Sequence, residues 1–202
     1  MNDYKHNSQN NFDRQSSRYD TASFGDHARK LHPILLRQLA QIPHDRILDV
    51  GCGTGALLSQ ILSRWPENTC AGVDLSPGMV EAARKKLGGQ AQVLLGDAEA
   101  LPFPDGAFQA ALYCDSFHHY PHPEAALKEI YRVLEPGGVL LLADPTAPFL
   151  IRELMNFLLP CGHGGDVRMY SAEELSQLLT PLFHGVECRR VDRTSLLAWG
   201  IR

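Results

Sequence analysis

Residues 47–55 read Ile-Leu-Asp-Val-Gly-Cys-Gly-Thr-Gly. An apolar run enters an acid and then three glycines at alternate positions, Gly51, Gly53 and Gly55, and an amphipathic stretch follows over 56–65. The pattern predicts a strand, a tight turn and a helix, with a turn in which no side chain keeps a ligand off the backbone. A second apolar run ends in an acid at Asp74, 23 positions after Gly51. In a βαβ unit that acid lies beside the first turn and accepts hydrogen bonds from a ribose. Together the two features point to a nucleoside-containing cofactor.

The 202 residues are 44% hydrophobic and 21% charged, ordinary values for one globular domain with a core of its own. A net charge of −4 offers no basic field to a nucleic-acid backbone, so no nucleic-acid partner is expected. The apolar runs at 139–143 and 154–160 fall short of the ~20 residues of a membrane-spanning helix. The first residues hold no apolar signal-peptide core. Cys52, Cys70, Cys114, Cys161 and Cys188 are scattered, odd in number and free of CxxC spacing. They suggest neither a disulfide framework nor a structural zinc site, and the expectation is a reduced, cytoplasmic enzyme. Cys161 and His163 have ligand-like spacing but no second ligand pair, so no metal is expected.

Residues 1–17 are rich in Asn, Gln, Ser and charge, with almost nothing to bury, and read as a disordered lead-in. A helix is predicted within 21–39, with Pro33 at a start or break. Strands are predicted at 46–51, 69–74, 91–96, 108–114 and 139–144, and helices at 54–65, 76–87 and 123–134, the last stopped by Pro136-Gly137-Gly138. Ser76 is a plausible N-cap with Pro77 at the first helical position, and Gly88-Gly89 lies past the end. Short buried strands alternating with helices predict a parallel sheet covered on both faces. The tail departs from this scheme. It reads as a helix at 148–159, a glycine-rich loop, and a second helix at 171–179 with Ser171 and Glu174 in capping-box spacing. Two strand-like runs at 185–191 and 194–201 close it, joined by Asp192-Arg193 as an antiparallel hairpin. The apolar stretch 151–159 suits either core or a lid over an apolar pocket.

The glycine turn also fits a dinucleotide fingerprint if Ala56 stands for the third glycine. Three features favour another ligand. Asp49, two residues before Gly51, would repel a pyrophosphate but suits a cation such as an α-amino group or a sulfonium. Asp97 in Gly96-Asp97-Ala98 sits where a strand end could accept from an adenine amino group. The terminal hairpin is foreign to a two-lobed dehydrogenase. With these residues in place, the chain resembles the class I S-adenosylmethionine-dependent methyltransferases, in particular the small-molecule branch with the quinone-biosynthesis C-methyltransferases, over roughly residues 20–202. The resemblance is carried by residues 47–55, by Gly72-Val73-Asp74-Leu75-Ser76-Pro77-Gly78-Met79, by Gly96-Asp97-Ala98-Glu99-Ala100-Leu101-Pro102-Phe103 and by Leu134-Glu135-Pro136-Gly137-Gly138, in family order.

It implies an α/β fold, a Rossmann-like doubly wound sheet of seven mostly parallel strands in order 3-2-1-4-5-7-6, with one antiparallel strand and helices on both faces. Residues 18–202 would form one methyltransferase domain, with 18–42 and 145–170 capping the acceptor site. The cofactor would be S-adenosylmethionine and the product S-adenosylhomocysteine. Carried over residue by residue, the resemblance puts Gly51, Cys52, Gly53 and Gly55 along the methionine and ribose parts and Asp49 near the methionine amino group. Asp74 would take the ribose hydroxyls, with Leu75 and Met79 flanking the adenine and Asp97 and Ala98 at its edge. Cys114 and Asp115 would face the methionine end, and Tyr19 would fold over the cofactor. Met79 also reads as plain core, and Asp74 as a helix-capping acid.

Ser116-Phe117-His118-His119-Tyr120 follows the fourth strand, where the methyl group should lie. His118, His119 and Tyr120 are the candidate acid–base residues, though adjacent side chains diverge and at most one histidine should face the ligand. His27, His32 and His163 read as surface histidines. The function expected is in-line methyl transfer to a small-molecule acceptor, homo-oligomer formation being possible. The alternatives are a cofactor-binding module without turnover and an NAD-dependent oxidoreductase.

Overall fold

A computed structural model of the protein describes residues 3–159 and 165–202. Seven strands, β1 (Arg46–Val50), β2 (Thr69–Asp74), β3 (Ala91–Leu95), β4 (Phe108–Cys114), β5 (Leu134–Pro145), β6 (His184–Arg190) and β7 (Ser195–Ile201), form one sheet in the order β3-β2-β1-β4-β5-β7-β6. The first five are mutually parallel, and β7 runs antiparallel to both neighbours, β5 and β6. This is the sheet expected from the resemblance.

Side-chain alternation along the buried strands creates two cores. Leu48, Val50, Tyr113, Leu140 and Leu142 pack under α5 (Pro123–Val133) and α7 (Ala172–Leu179). The intervening Ile47, Leu112 and Leu141 point to the other face, under α2 (Asp26–Leu39), α3 (Ala56–Arg64) and α4 (Pro77–Leu87). Strands buried on both faces therefore read as continuous apolar runs. Local signals act as their chemistry dictates. Ser76 Oγ accepts from Met79 N at the start of α4, and Ser171 with Glu174 closes a complete capping box on α7.

Three readings need correction. The polar stretch expected to be disordered forms helix α1 (Asp3–Gln15). Its own sequence offers no apolar face. The helix is held from outside: Lys5 Nζ lies 2.6 Å from both Asp97 and Glu99, and Asp13 Oδ1 accepts from Ser76 Oγ and Gly78 N. Helix α2 runs through Pro33 without stopping there. Pro136-Gly137-Gly138 does not separate helix from strand, because β5 already begins at Leu134 and pairs with Phe108 before the register shifts. Of the two readings left open for 151–159, core does not hold: in α6 (Phe149–Leu158), Phe149, Leu150, Ile151, Leu154, Phe157 and Leu158 are exposed and Arg152 is the one buried residue. No described helix is long and apolar enough to cross a membrane. Cys161 and His163 lie outside the described residues.

Candidate active site

The parallel strands all end at one edge of the sheet, and the turn after β1 opens a cleft there. Gly51 adopts φ 72°, Gly53 φ 53° and Gly55 φ 73°, a left-handed region that other residues enter only under strain. A Cβ at Gly51 would stand 2.6 Å from Ser116 Cβ, so the end of β4 seals this position against any side chain. At Gly53 a Cβ would meet nothing within 4 Å, so its backbone faces open space. At Gly55 it would lie 3.0 Å from Leu87 Cδ1, so this glycine serves the packing of α4. The Gly51 and Cys52 N–H groups both donate to Val73 O, which ties the turn to β2.

The cleft has two lobes that share Gly51. One is lined by Asp74, Leu75, Asp97, Ala98, Asp115, Ser116, His119 and Tyr120 and is roofed by Lys5 and Phe12 of α1. The other is lined by Tyr19, Arg29, His32, Asp49, Cys52 and Cys114. Most of the expected cofactor residues are thus brought together from five separate stretches of chain. Three are not among the lining residues. Gly53 acts through its N–H, which donates to Asp74 Oδ2 at 2.8 Å; Gly55 packs on α4; Met79 is 1% exposed core.

Asp49 is the electrostatic centre of the second lobe. It is 1% exposed, and its Oδ1 has no hydrogen-bond partner among the described residues. Burial, with a smaller push from Asp74, raises its pKa to about 7. Asp74 is better served, by Gly53 N and by Ser76 N, though burial outweighs these bonds and raises its pKa. Asp97, expected at the adenine edge, is engaged by Lys5. Burial pushes the thiols of Cys52 and Cys114 up, so both stay protonated.

The ends of β4 and β5 carry a second network. Asp115 holds φ 56°, the one described non-glycine residue with positive φ, a strain of the kind that collects at functional sites. Its Oδ1 lies 2.6 Å from His27 Nδ1, and His27 Nε2 reaches Ser195 Oγ at 3.1 Å. Burial opposes charge on both groups, but the hydrogen bond between them prevails, raising the pKa of His27 and lowering that of Asp115. His27, half-buried, is therefore tied to the cleft through Asp115 and is not a free surface histidine. His32 is not a surface histidine either: it is buried and bonded to Gln60, and burial lowers its pKa to about 4. Of the candidate acid–base residues, His119 and Tyr120 line the cleft and His118 does not. His118 lies against Asp144, whose carboxylate also accepts from the Phe117 and His118 N–H groups. Burial disfavours charge on His118, but Asp144, Asp115 and Asp166 outweigh it and raise its pKa to about 9. The Tyr120 hydroxyl and Ser116 Oγ both reach Val50 O.

Sequence reasoning did not find Lys5, Phe12, His27 or Asp144. An available signal existed for Asp144 alone: it is an acid at the end of a buried strand, the rule that found Asp74.

Residues 48–142 match the family of methyltransferase domains. A demethylmenaquinone methyltransferase of Thermus thermophilus is 38% identical over 144 residues, which cover 68% of this chain and 65% of that protein. A ubiquinone/menaquinone biosynthesis C-methyltransferase of Geotalea daltonii is 30% identical over 158 residues, 72% of this chain and 67% of the relative. The chain thus spans about two thirds of the length of these relatives, and less of the Thermus protein than that fraction. Among solved structures, an S-adenosylmethionine-dependent methyltransferase of Thermotoga maritima superposes with a TM-score of 0.72 at 23% identity, over 95% of this chain and 98% of that one, and so shares the fold.

Proposed function

The chain belongs to the class I S-adenosylmethionine-dependent methyltransferases, and on that footing we propose that it transfers a methyl group from S-adenosylmethionine to a small-molecule acceptor, leaving S-adenosylhomocysteine. The observation that carries the reading is the buried Asp49 oxygen, unpartnered at the wall of the second lobe. An unpaired buried carboxylate is costly unless a cationic ligand completes it. A dinucleotide would bring a pyrophosphate toward this acid instead, so the geometry weighs against the nicotinamide alternative. In this reading Asp49 holds the amino group of the methionine moiety, and Gly51 and Gly53 admit the ligand to the backbone. Asp74 accepts from the ribose hydroxyls, and Leu75 and Ala98 flank the base.

The cofactor supplies an activated methyl on a sulfonium, so the protein's share is alignment and exclusion of water. Asp115, kept ionised by His27, lines the cleft and can accept a hydrogen bond from an acceptor hydroxyl. The demethylmenaquinone and ubiquinone/menaquinone-biosynthesis methyltransferases among the relatives make a hydroxylated aromatic ring the first acceptor to test. The test is S-adenosylhomocysteine release from the purified chain with a panel of reduced quinols, phenols and amines. Release with at least one of them is expected. Cofactor binding without turnover across the panel would favour the non-catalytic module, and binding of NAD with none of S-adenosylmethionine would end the proposal.

A further inference from the structure

His118 and His119 share one short 3-10 turn after β4, and their rings lie side by side with centroids 4.0 Å apart. Both aim a nitrogen at the same carboxylate. Asp166 Oδ1 is 3.1 Å from His119 Nδ1 and 3.7 Å from His118 Nε2. The second distance is too long for a hydrogen bond. The first lacks the geometry of one, and His119 Nδ1 is buried with no hydrogen-bond partner among the described residues. A buried polar atom left in that state is destabilising.

The spacing suits a different bond. Three donors each about 2.0–2.2 Å from a tetrahedral ion stand about 3.3 Å apart. The observed 3.1 and 3.7 Å bracket that value, and the three atoms all lie within 4.8 Å of one another. Behind His118, Asp144 Oδ1 faces Nδ1 at 3.2 Å, while the backbone N–H groups of Phe117 and His118 anchor the same carboxylate. A carboxylate in that place fixes the proton on Nδ1 and turns the Nε2 lone pair toward the ligand, the arrangement found behind metal-bound imidazoles.

We propose that His118 Nε2, His119 Nδ1 and Asp166 Oδ1 form a binding site for one divalent transition-metal ion, with Asp144 positioning His118. Two imidazole nitrogens and one carboxylate suit Zn²⁺ or Co²⁺ and disfavour Mg²⁺, which prefers oxygen donors. Three protein ligands leave a coordination position for a further oxygen. His119 also lines the cleft beside Asp115, so the site borders the region where an acceptor would enter.

The test does not depend on methyl transfer. The full chain, stripped with a chelator, is titrated with Zn²⁺ in a calorimeter and with Co²⁺ in a visible spectrometer, Mg²⁺ being the control. One equivalent of Zn²⁺ at micromolar affinity or tighter is expected, with Co²⁺ absorption in the visible range. His119→Ala and Asp166→Asn should each weaken Zn²⁺ binding at least tenfold. Their side chains reach the surface, at 12% and 38% exposure, so the fold should tolerate both, as circular dichroism would show. Asp144→Asn should weaken it by about 10–100-fold without removing a ligand. Absence of binding, equal binding of Mg²⁺, or Zn²⁺ affinity unchanged in both His119→Ala and Asp166→Asn would overturn the site and leave an ordinary imidazolium–carboxylate cluster.

Discussion

The ends of β1 and β2 and the ends of β4 and β5 lie on the same edge of one sheet, yet they are assembled by different means. The first pair is built from neighbouring residues. The glycine turn, Asp74 and Ser76 lie within 26 positions, and backbone N–H groups make most of the contacts. The second pair is built from remote side chains: Asp115 meets His27 across 88 positions, and His27 meets Ser195 across 168. A cofactor shared by a whole family needs a cradle that backbone geometry can reproduce, whereas a particular acceptor needs side chains that can change without disturbing it. On the proposed function, damage to the first region should strike cofactor binding, and damage to the second should strike turnover.

The sharpest way to break that contrast is Gly51→Ala. The new Cβ would collide with Ser116 while the backbone stays at φ 72°. Backbone strain alone is about 1–3 kcal/mol. Calorimetry should show S-adenosylhomocysteine affinity reduced by about 100-fold or more, with a melting temperature several degrees lower; a change under threefold would show that the turn is no cradle.

Asp49→Asn should follow, with a loss of about 1.5–3 kcal/mol in cofactor affinity and no loss of stability without ligand. The pH dependence has a definite sign. With its pKa raised to about 7, Asp49 is increasingly protonated below that pH and cannot pair with an ammonium. Affinity should therefore fall as pH drops below about 7, by up to about tenfold per unit, and the Asn variant should be flatter over the same range. A parallel dependence in wild type and variant would assign the titration elsewhere.

His27→Gln tests the other region. Loss of a hydrogen bond to a charged group, about 1.5 kcal/mol, corresponds to roughly tenfold in kcat/KM for the acceptor. Cofactor affinity should stay within about threefold, and a larger fall would mean that the two regions are not separable. Lys5→Ala should do least. Its ion pairs to Asp97 and Glu99 hold α1 over the cleft, and their removal should change cofactor affinity by less than about 1 kcal/mol. It should act mainly by faster dissociation, measurable in stopped flow.

These differences mirror what could be read in the chain. The 3.6-residue and two-residue periodicities, the Ser76 and Ser171 caps and the glycine turn are signals contained in short windows, and each structure they promised is present. Helix α1 shows the opposite case. Asn, Gln and Ser predict no order because they bury little, and the helix is held by Asp97, Glu99, Ser76 and Gly78, all more than 60 positions away. Likewise α6 is apolar around much of its surface, and nothing local tells a buried apolar helix from one whose apolar residues stay exposed.

The sequence alone determined the strand order, through its resemblance, and the first crossover with its two acids, because turns and caps are decided by residues that touch along the chain. Only the tertiary structure decided that His27 belongs to Asp115, that Lys5 occupies Asp97, and that two adjacent histidines converge on Asp166. Those contacts depend on how far each strand end projects and on what the packed helices bring across it. No short-range pattern encodes these distances.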